Sequence, residues 1–232
     1  MSSPSPDVDT LAVPARSYRV LSRNWWRAFL PGRAGVNARE GLRLVGGAFL
    51  GIVLTGWLCH LLGVSATPSL PWLVAPLGAS AILVFATPAS PMAQPWAVVA
   101  GNTVSALVGI AFAHGMGFPV LPELAAGLAV ATAIVVMLAL RCLHPPGGAM
   151  ALMMVLGGIG NPAFAFYPVM LNSVLLVLTG IAYNNATRRP YPHMQLAAEG
   201  QALPGHEGQL DADLDAVLAR YNQVLDISRD DL

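Results

Sequence analysis

The sequence predicts an all-α membrane protein, a helical bundle of two three-segment repeats, each with a short broken or half helix. Three observations predict it. The chain of 232 residues is 55% hydrophobic and only 10% charged, with a mean hydropathy of +0.61; soluble domains carry about 25% charged residues. All twelve cations are arginine, and they crowd toward the ends. Between Arg43 and Arg188 the only formal charges are Glu123 and Arg141, and a stretch of about 140 residues with so little charge is a membrane domain. The third observation is an echo: APLGASAILVF at 75–85 resembles PPGGAMALMMV at 145–155, a shift of 70 residues.

Taken in order, residues 1–17 are Ser/Pro/Asp-rich and read as a disordered arm. Residues 18–40 mix arginines with Trp25, Trp26 and Phe29, which suits a basic segment lying on an anionic leaflet. Six apolar segments follow. Long ones fall at about 42–62, 95–115, 121–142 and 165–185, and short ones at about 73–87 and 145–157. A long segment approaches the ~20 residues that span a hydrocarbon core, whereas a short one holds about ten helical residues, or ~15 Å. The first repeat covers 41–116 and the second 117–187. The remainder, 188–232, is a polar cytosolic tail. Within it Leu210, Leu214, Val217, Leu218, Tyr221 and Leu225 recur at helical spacing, predicting an amphipathic helix over 209–228.

The echo keeps its register without a gap. Pro76, Gly78, Ala79, Ala81, Ala93, Val99, Asn102 and Val104 fall on Pro146, Gly148, Ala149, Ala151, Ala163, Val169, Asn172 and Val174. Asparagine is scarce in apolar helices, so the Asn102–Asn172 match weighs most. Corresponding Gly/Pro-interrupted segments in two halves of a membrane protein point to a substrate site. Arginine at both flanks places both termini in the cytoplasm and requires an even number of crossings. Four long crossings with two re-entrant segments, or six crossings with inverted halves, both satisfy this; the position of Arg141 favours six.

Each short helix starts with glycine after proline, and helix N-termini present unpaired N–H groups and a partial positive charge. That combination makes an anion site without a lysine. The candidate binding residues are Gly78, Ala79 and Ser80 in the first half and His144, Gly147, Gly148 and Ala149 in the second, with Asn102 and Asn172 from the helices that follow. Arg141, Thr103 and Ser173 are secondary candidates. The competing structural readings are a plain Pro-Pro-Gly-Gly loop, asparagines acting as interhelical glue, a histidine that caps a helix, and an arginine that snorkels to headgroups. Gly47-x-x-x-Gly51 permits close packing, either in a homodimer or within one chain. Cys59 and Cys142 have no metal spacing and read as small buried hydrophobes. No HExxH, GxSxG or P-loop occurs, and Glu123 is the sole acid of the core; the expectation is no enzyme, metal or cofactor. The charge distribution gives no support for nucleic-acid binding.

These residues also carry a resemblance. LHPPGGAMAL is similar to the signature of the HPP family of integral membrane proteins, and the likeness extends to APLGASAILVFATPASPMAQPW and to LDAVLARYNQVLDISRDDL, together covering roughly residues 20–232. The resemblance implies a bundle of four or more membrane helices with a transport function; plant relatives in the chloroplast envelope are reported to carry nitrite. It maps the signature onto His144, Pro145, Pro146, Gly147 and Gly148, with Pro76, Gly78, Ala79 and Ser80 in the first half, and supplies no established binding residues. In many bacterial relatives a similar tail leads into CBS domains, which bind adenine nucleotides; the sequence stops at Leu232, so the expectation is that such a module is either absent or was removed. The functional expectation is a multi-pass inner-membrane transporter or channel-like protein for a small anion such as nitrite, bound at the half-helix N-termini near the midplane. The alternative is a membrane sensor or anchor that signals through the tail helix to a CBS-type domain.

Overall fold

A computed structural model of the chain describes residue 29 and residues 37–63, 72–115 and 121–194. The expected disordered arm, all of the basic segment before Asn37 except residue 29, and the tail helix lie outside the described residues. Those from Asn37 onward form one compact unit, and all their regular structure is helical. The helices are α1 (Ala38–Leu61), α2 (Leu77–Ala86), α3 (Pro95–Gly115), α4 (Pro122–Ala139), α5 (Pro146–Leu156) and α6 (Leu171–Ala186). Among the described residues four stretches are long and apolar enough to cross a membrane: α1, Pro95–His114 in α3, α4 and Ala165–Ala186.

The boundaries follow local chemistry. α1 starts at Ala38, earlier than hydropathy alone suggests, because Asn37 caps it: its side chain accepts the Arg39 N–H at 3.2 Å. Proline opens α3, α4 and α5, where the missing N–H is harmless. The last segment is not the single helix expected from 165 to 185. A wide turn over Ala165–Met170 precedes α6, with Tyr167 outside the helical region at φ −141°, ψ 97°. Pro168 is the cause, since it supplies no N–H to the ladder and pushes the residue before it out of the helical region.

Side-chain contacts fix the direction of each helix. The Tyr167 hydroxyl donates to the Leu62 carbonyl (3.0 Å), so the final segment begins beside the end of α1. The Tyr183 hydroxyl donates to the Arg43 carbonyl (2.8 Å), so α6 ends beside the start of α1. α2 also runs back along α1: a Cβ on Gly56 would meet Trp72 and Leu73, and one on Gly47 or Gly51 would press on Phe85. The Tyr191 hydroxyl, just past α6, donates to the Ala93 carbonyl (2.8 Å) and ties the start of α3 to the same face. α3 and α5 run side by side, Gly101 facing His144 and Gly109 facing Ala151. Trp96 at the start of α3 donates to the Leu140 carbonyl just past α4 (3.1 Å). The six segments therefore alternate in direction. α1 packs on α2 and α6, and α4 packs on α5 and α3.

Small residues allow these approaches. Gly47 and Gly51 are buried against Phe85, Tyr183 and Leu176 of the same chain, so the glycine pair serves packing within the bundle. Cys59 and Cys142 are both fully buried. Arg43 turns inward, its side chain only 9% exposed. It donates to Glu40 (2.7 Å), Asn184 (3.0 Å) and the Phe85 carbonyl (2.7 Å), while Asn184 donates to the Val84 carbonyl (3.0 Å). The last carbonyls of α2 thus find donors from α1 and α6, and a cation sits at the negative end of the helix. Arg189 adds a second bond to Glu40 (3.0 Å).

The packing yields a paired prediction. A Cβ on Gly109 would lie 2.5 Å from the Ala151 carbonyl oxygen, whereas one on Gly127 meets nothing within 4 Å. Gly109→Ala is expected to destabilise the folded protein by about 1–3 kcal/mol, and Gly127→Ala to be neutral or stabilising by up to about 1 kcal/mol. Unfolding in mixed micelles reads both; equal effects would contradict the α3–α5 contact.

Candidate functional site

The link from α4 to α5 is built to return the chain into the bundle. α4 closes with Arg141 N–H on the Leu138 carbonyl (3.1 Å) and Cys142 N–H on the Met137 carbonyl (2.9 Å), a reversal that requires a left-handed residue, usually glycine. Arg141 occupies it, at φ 52°. The turn lays Cys142–His144 against α3 at Gly101, where a Cβ would sit 2.8 Å from the Cys142 carbonyl oxygen and 2.7 Å from the His144 Cβ. Opposite, the α2–α3 link is tied to itself: the Gln94 side chain donates to the Pro88 (2.9 Å) and Ser90 (2.8 Å) carbonyls, and Ser90 Oγ accepts the Met92 N–H (3.3 Å). That turn presents the Met92 carbonyl to His144.

His144 is fully buried and bridges the two short-helix approaches. Its Nδ1 lies 2.8 Å from the Met92 carbonyl, and its Nε2 lies 2.8 Å from Ser80 Oγ in the first turn of α2. A carbonyl only accepts, so Nδ1 carries the hydrogen. An unpaired charge at this depth would be costly and no carboxylate is among the ring's partners, so the ring is neutral, Nε2 accepts and the Ser80 hydroxyl donates. Asn102 Nδ2 donates to Ser80 Oγ and to Ser173 Oγ, both at 3.2 Å, and the Ser173 hydroxyl donates to the Val169 carbonyl (3.0 Å). One string of hydrogen bonds therefore runs from Met92 through His144, Ser80, Asn102 and Ser173 to Val169, and its four side chains are fully buried.

The structure gathers some of the expected residues and separates others. Ser80, His144, Asn102 and Ser173 meet. Asn172 lies apart: its amide donates to the Trp72 carbonyl (3.0 Å) and Cys59 Sγ (3.1 Å) and accepts the Val74 N–H (3.1 Å), fastening the approach to α2. The Thr103 hydroxyl bonds back to Val99 (2.7 Å). Gly78, Ala79 and Ala149 are exposed. Gly147 is filled in by its neighbours, since a Cβ there would lie 2.6 Å from Ser105 Oγ and 3.0 Å from Met137 Sδ. The free N–H groups expected at the helix starts are not free. Gly78, Ala79 and Ser80 donate to Ala75 and Pro76 carbonyls, and Gly147 and Gly148 to those of His144 and Pro145. The tight turns that begin each helix satisfy these donors, as backbone in an apolar medium requires.

Sequence reasoning missed the Met92 carbonyl and the turn that offers it, and only the neighbouring Ser90-Pro91 turn signal hinted at them. Beside this turn a surface cleft of about 320 Å³ is lined by Pro91, Met92, Ala97, Leu138, Arg141 and Leu143. Arg141 is exposed and has no partner among the described residues. Nor do three His, Cys, Asp or Glu side chains there come together as a metal site would need. Nitrogen NMR of labelled protein is expected to show His144 as the Nδ1–H tautomer; the Nε2–H tautomer would contradict the Met92 bond.

Among known proteins, two transmembrane proteins of Dictyostelium discoideum are similar. One is 36% identical over 150 residues, covering 62% of this chain and 48% of its own length; the other is 36% identical over 125 residues, covering 52% of this chain and 44% of its own. The chain thus spans about half the length of these relatives. No solved structure matches. The profile of the HPP transmembrane region matches residues 33–192, which takes in all six helices and every residue of the buried string, and the chain belongs to the HPP family of membrane proteins.

Proposed function

We propose that this chain is a multi-pass transporter or channel-like protein that moves a small anion such as nitrite, chemically unchanged, across the bilayer. The observation that carries the reading is the fully buried string His144–Ser80–Asn102–Ser173, set where two short helices begin inside an otherwise apolar bundle. Polar side chains at membrane depth are costly and mark pathways, and broken helices in corresponding positions are where carriers bind substrate. The alternating helix directions support six passes with the halves inverted and both termini on one side, and the flanking arginines favour the cytoplasmic side.

The acids of the described residues lie away from the string: Glu40 is held by Arg43 and Arg189, and Glu123 is exposed at the start of α4. Arg141, exposed beside the neighbouring cleft and without a partner among the described residues, collects anions at the mouth. The state described is closed, because every donor of the string is already engaged. Opening means parting Ser80 from His144, while Asn102 keeps its bonds to Ser80 and Ser173. The sensor alternative rests on the tail alone, and no described residue favours it.

Nitrite uptake into proteoliposomes tests the reading. His144→Ala is expected to lower the protein-dependent rate at least about tenfold, the loss of roughly 1.4 kcal/mol or more of barrier stabilisation. Arg141→Gly relieves the left-handed strain, stabilising the fold by up to about 1 kcal/mol, yet raises the apparent KM for nitrite. Unchanged flux in His144→Ala would overturn the site, and no movement of any small anion by the wild-type protein would overturn the class.

A further inference from the structure

Two buried side-chain atoms among the described residues have no hydrogen-bond partner, Thr55 Oγ1 and Asn102 Oδ1. The threonine hydroxyl lies in a helix and can rotate toward a carbonyl of its own turn. The amide oxygen has no such recourse. A buried acceptor left unpaired costs about 1–3 kcal/mol, and a group of this kind marks a site when nothing local relieves it.

Reversing the amide does not relieve it. With the ends exchanged, the oxygen would face Ser80 Oγ and Ser173 Oγ, and each serine would have to donate to it. The Ser80 hydroxyl is committed to His144 Nε2 (2.8 Å), because Nδ1 spends its hydrogen on the Met92 carbonyl (2.8 Å). The Ser173 hydroxyl is committed to the Val169 carbonyl (3.0 Å). The exchange would break both good bonds and leave an N–H orphaned instead. The string therefore fixes the amide with its oxygen as the unpaired atom.

That oxygen dictates the chemistry of its ligand. A bare anion finds only a lone pair there and no free donor. A cation finds no carboxylate among the described residues to balance it, since Glu40 is held by Arg43 and Arg189 and Glu123 is exposed at the start of α4. A neutral O–H group fits, since it gives its hydrogen to Asn102 Oδ1. We propose that the species held at Asn102 during translocation is the neutral, protonated form of a small weak acid. This rests on the transport reading above and deepens it: anion and proton combine at one face, cross together as the acid, and separate at the other, so one anion and one proton move with no net charge.

The test compares two driving forces on reconstituted wild-type protein, with nitrite as the probe and uptake in protein-free vesicles subtracted. Internal pH is followed with a trapped dye, and a potential is imposed with a potassium gradient and an ionophore. The expected result is uptake that rises about tenfold per unit fall in external pH at fixed total nitrite, as the concentration of the acid form does. Internal acidification should match the nitrite gained, and the imposed potential should have no effect. Asn102→Ala should lose at least about tenfold of this uptake; should that variant not fold, the wild-type comparison still decides. Uptake that follows the potential and ignores pH would overturn the inference and leave the transport reading standing. Absence of any protein-dependent uptake would overturn both.

Discussion

The contact between Ser80 Oγ and His144 Nε2, at 2.8 Å, is what the interior is arranged around. It joins the start of one short helix to the approach of the other, and each side needs the rest of the fold to reach it. His144 arrives because Arg141 accepts a left-handed turn and Gly101 lacks a side chain. It is oriented by Met92, whose carbonyl is offered by a turn held by Ser90 and Gln94. Ser80 is held by Asn102, and Asn102 by Ser173. In an apolar interior no member of such a string can lose its partner cheaply, so the string fixes the relative placement of α2, α3, α5 and α6 together.

The two short helices are supported differently at their two ends, and the difference has consequences for motion. The C-terminal end of α2 is clamped by Arg43 and Asn184, groups from two long helices that also hold each other. Its N-terminal end is held by the Ser80–His144 and Asn102 bonds and by the Asn172 fastening of Trp72 and Val74. α5 packs closely along α3, with Gly109 and Gly147 admitting backbone and side chains at contact distance. The weaker join is thus between α2 and the α4–α5 link, made by side-chain hydrogen bonds rather than by interdigitated glycines. A bundle that opens will open there first.

Much of this was legible in the sequence. All six segments, and both breaks, follow from hydropathy and from the Pro and Gly positions; the start of α3 at Pro95 and of α5 at Pro146 are the places where proline dictates a boundary. The inward facing of Asn102, Asn172 and Ser173 was readable because polar residues in an apolar helix have nowhere else to be used. What was not readable is long-range. Arg43 looked like a flanking cation, and only the fold brings Phe85 and Asn184 to it. Asn102 and Asn172 match in register yet take opposite duties, because His144 and Val74, which stand in matching places, offer them different surroundings. The kink at Tyr167 was hidden because one proline in an apolar run is compatible with a helix that bends or one that breaks. The occupancy of the helix-start N–H groups depends on tight turn geometry that composition does not encode.

The family profile takes in every residue of the buried string. The account stands on Ser80 and His144 being energetically coupled across the two short-helix starts. A double-mutant cycle with Ser80→Ala, His144→Ala and the double variant, read as unfolding free energy in mixed micelles, measures that coupling directly. The account predicts an interaction energy of about 1–3 kcal/mol. Effects that add to within about 0.5 kcal/mol would contradict it, because the two short helices would then be independent and the interior would have no single point of control.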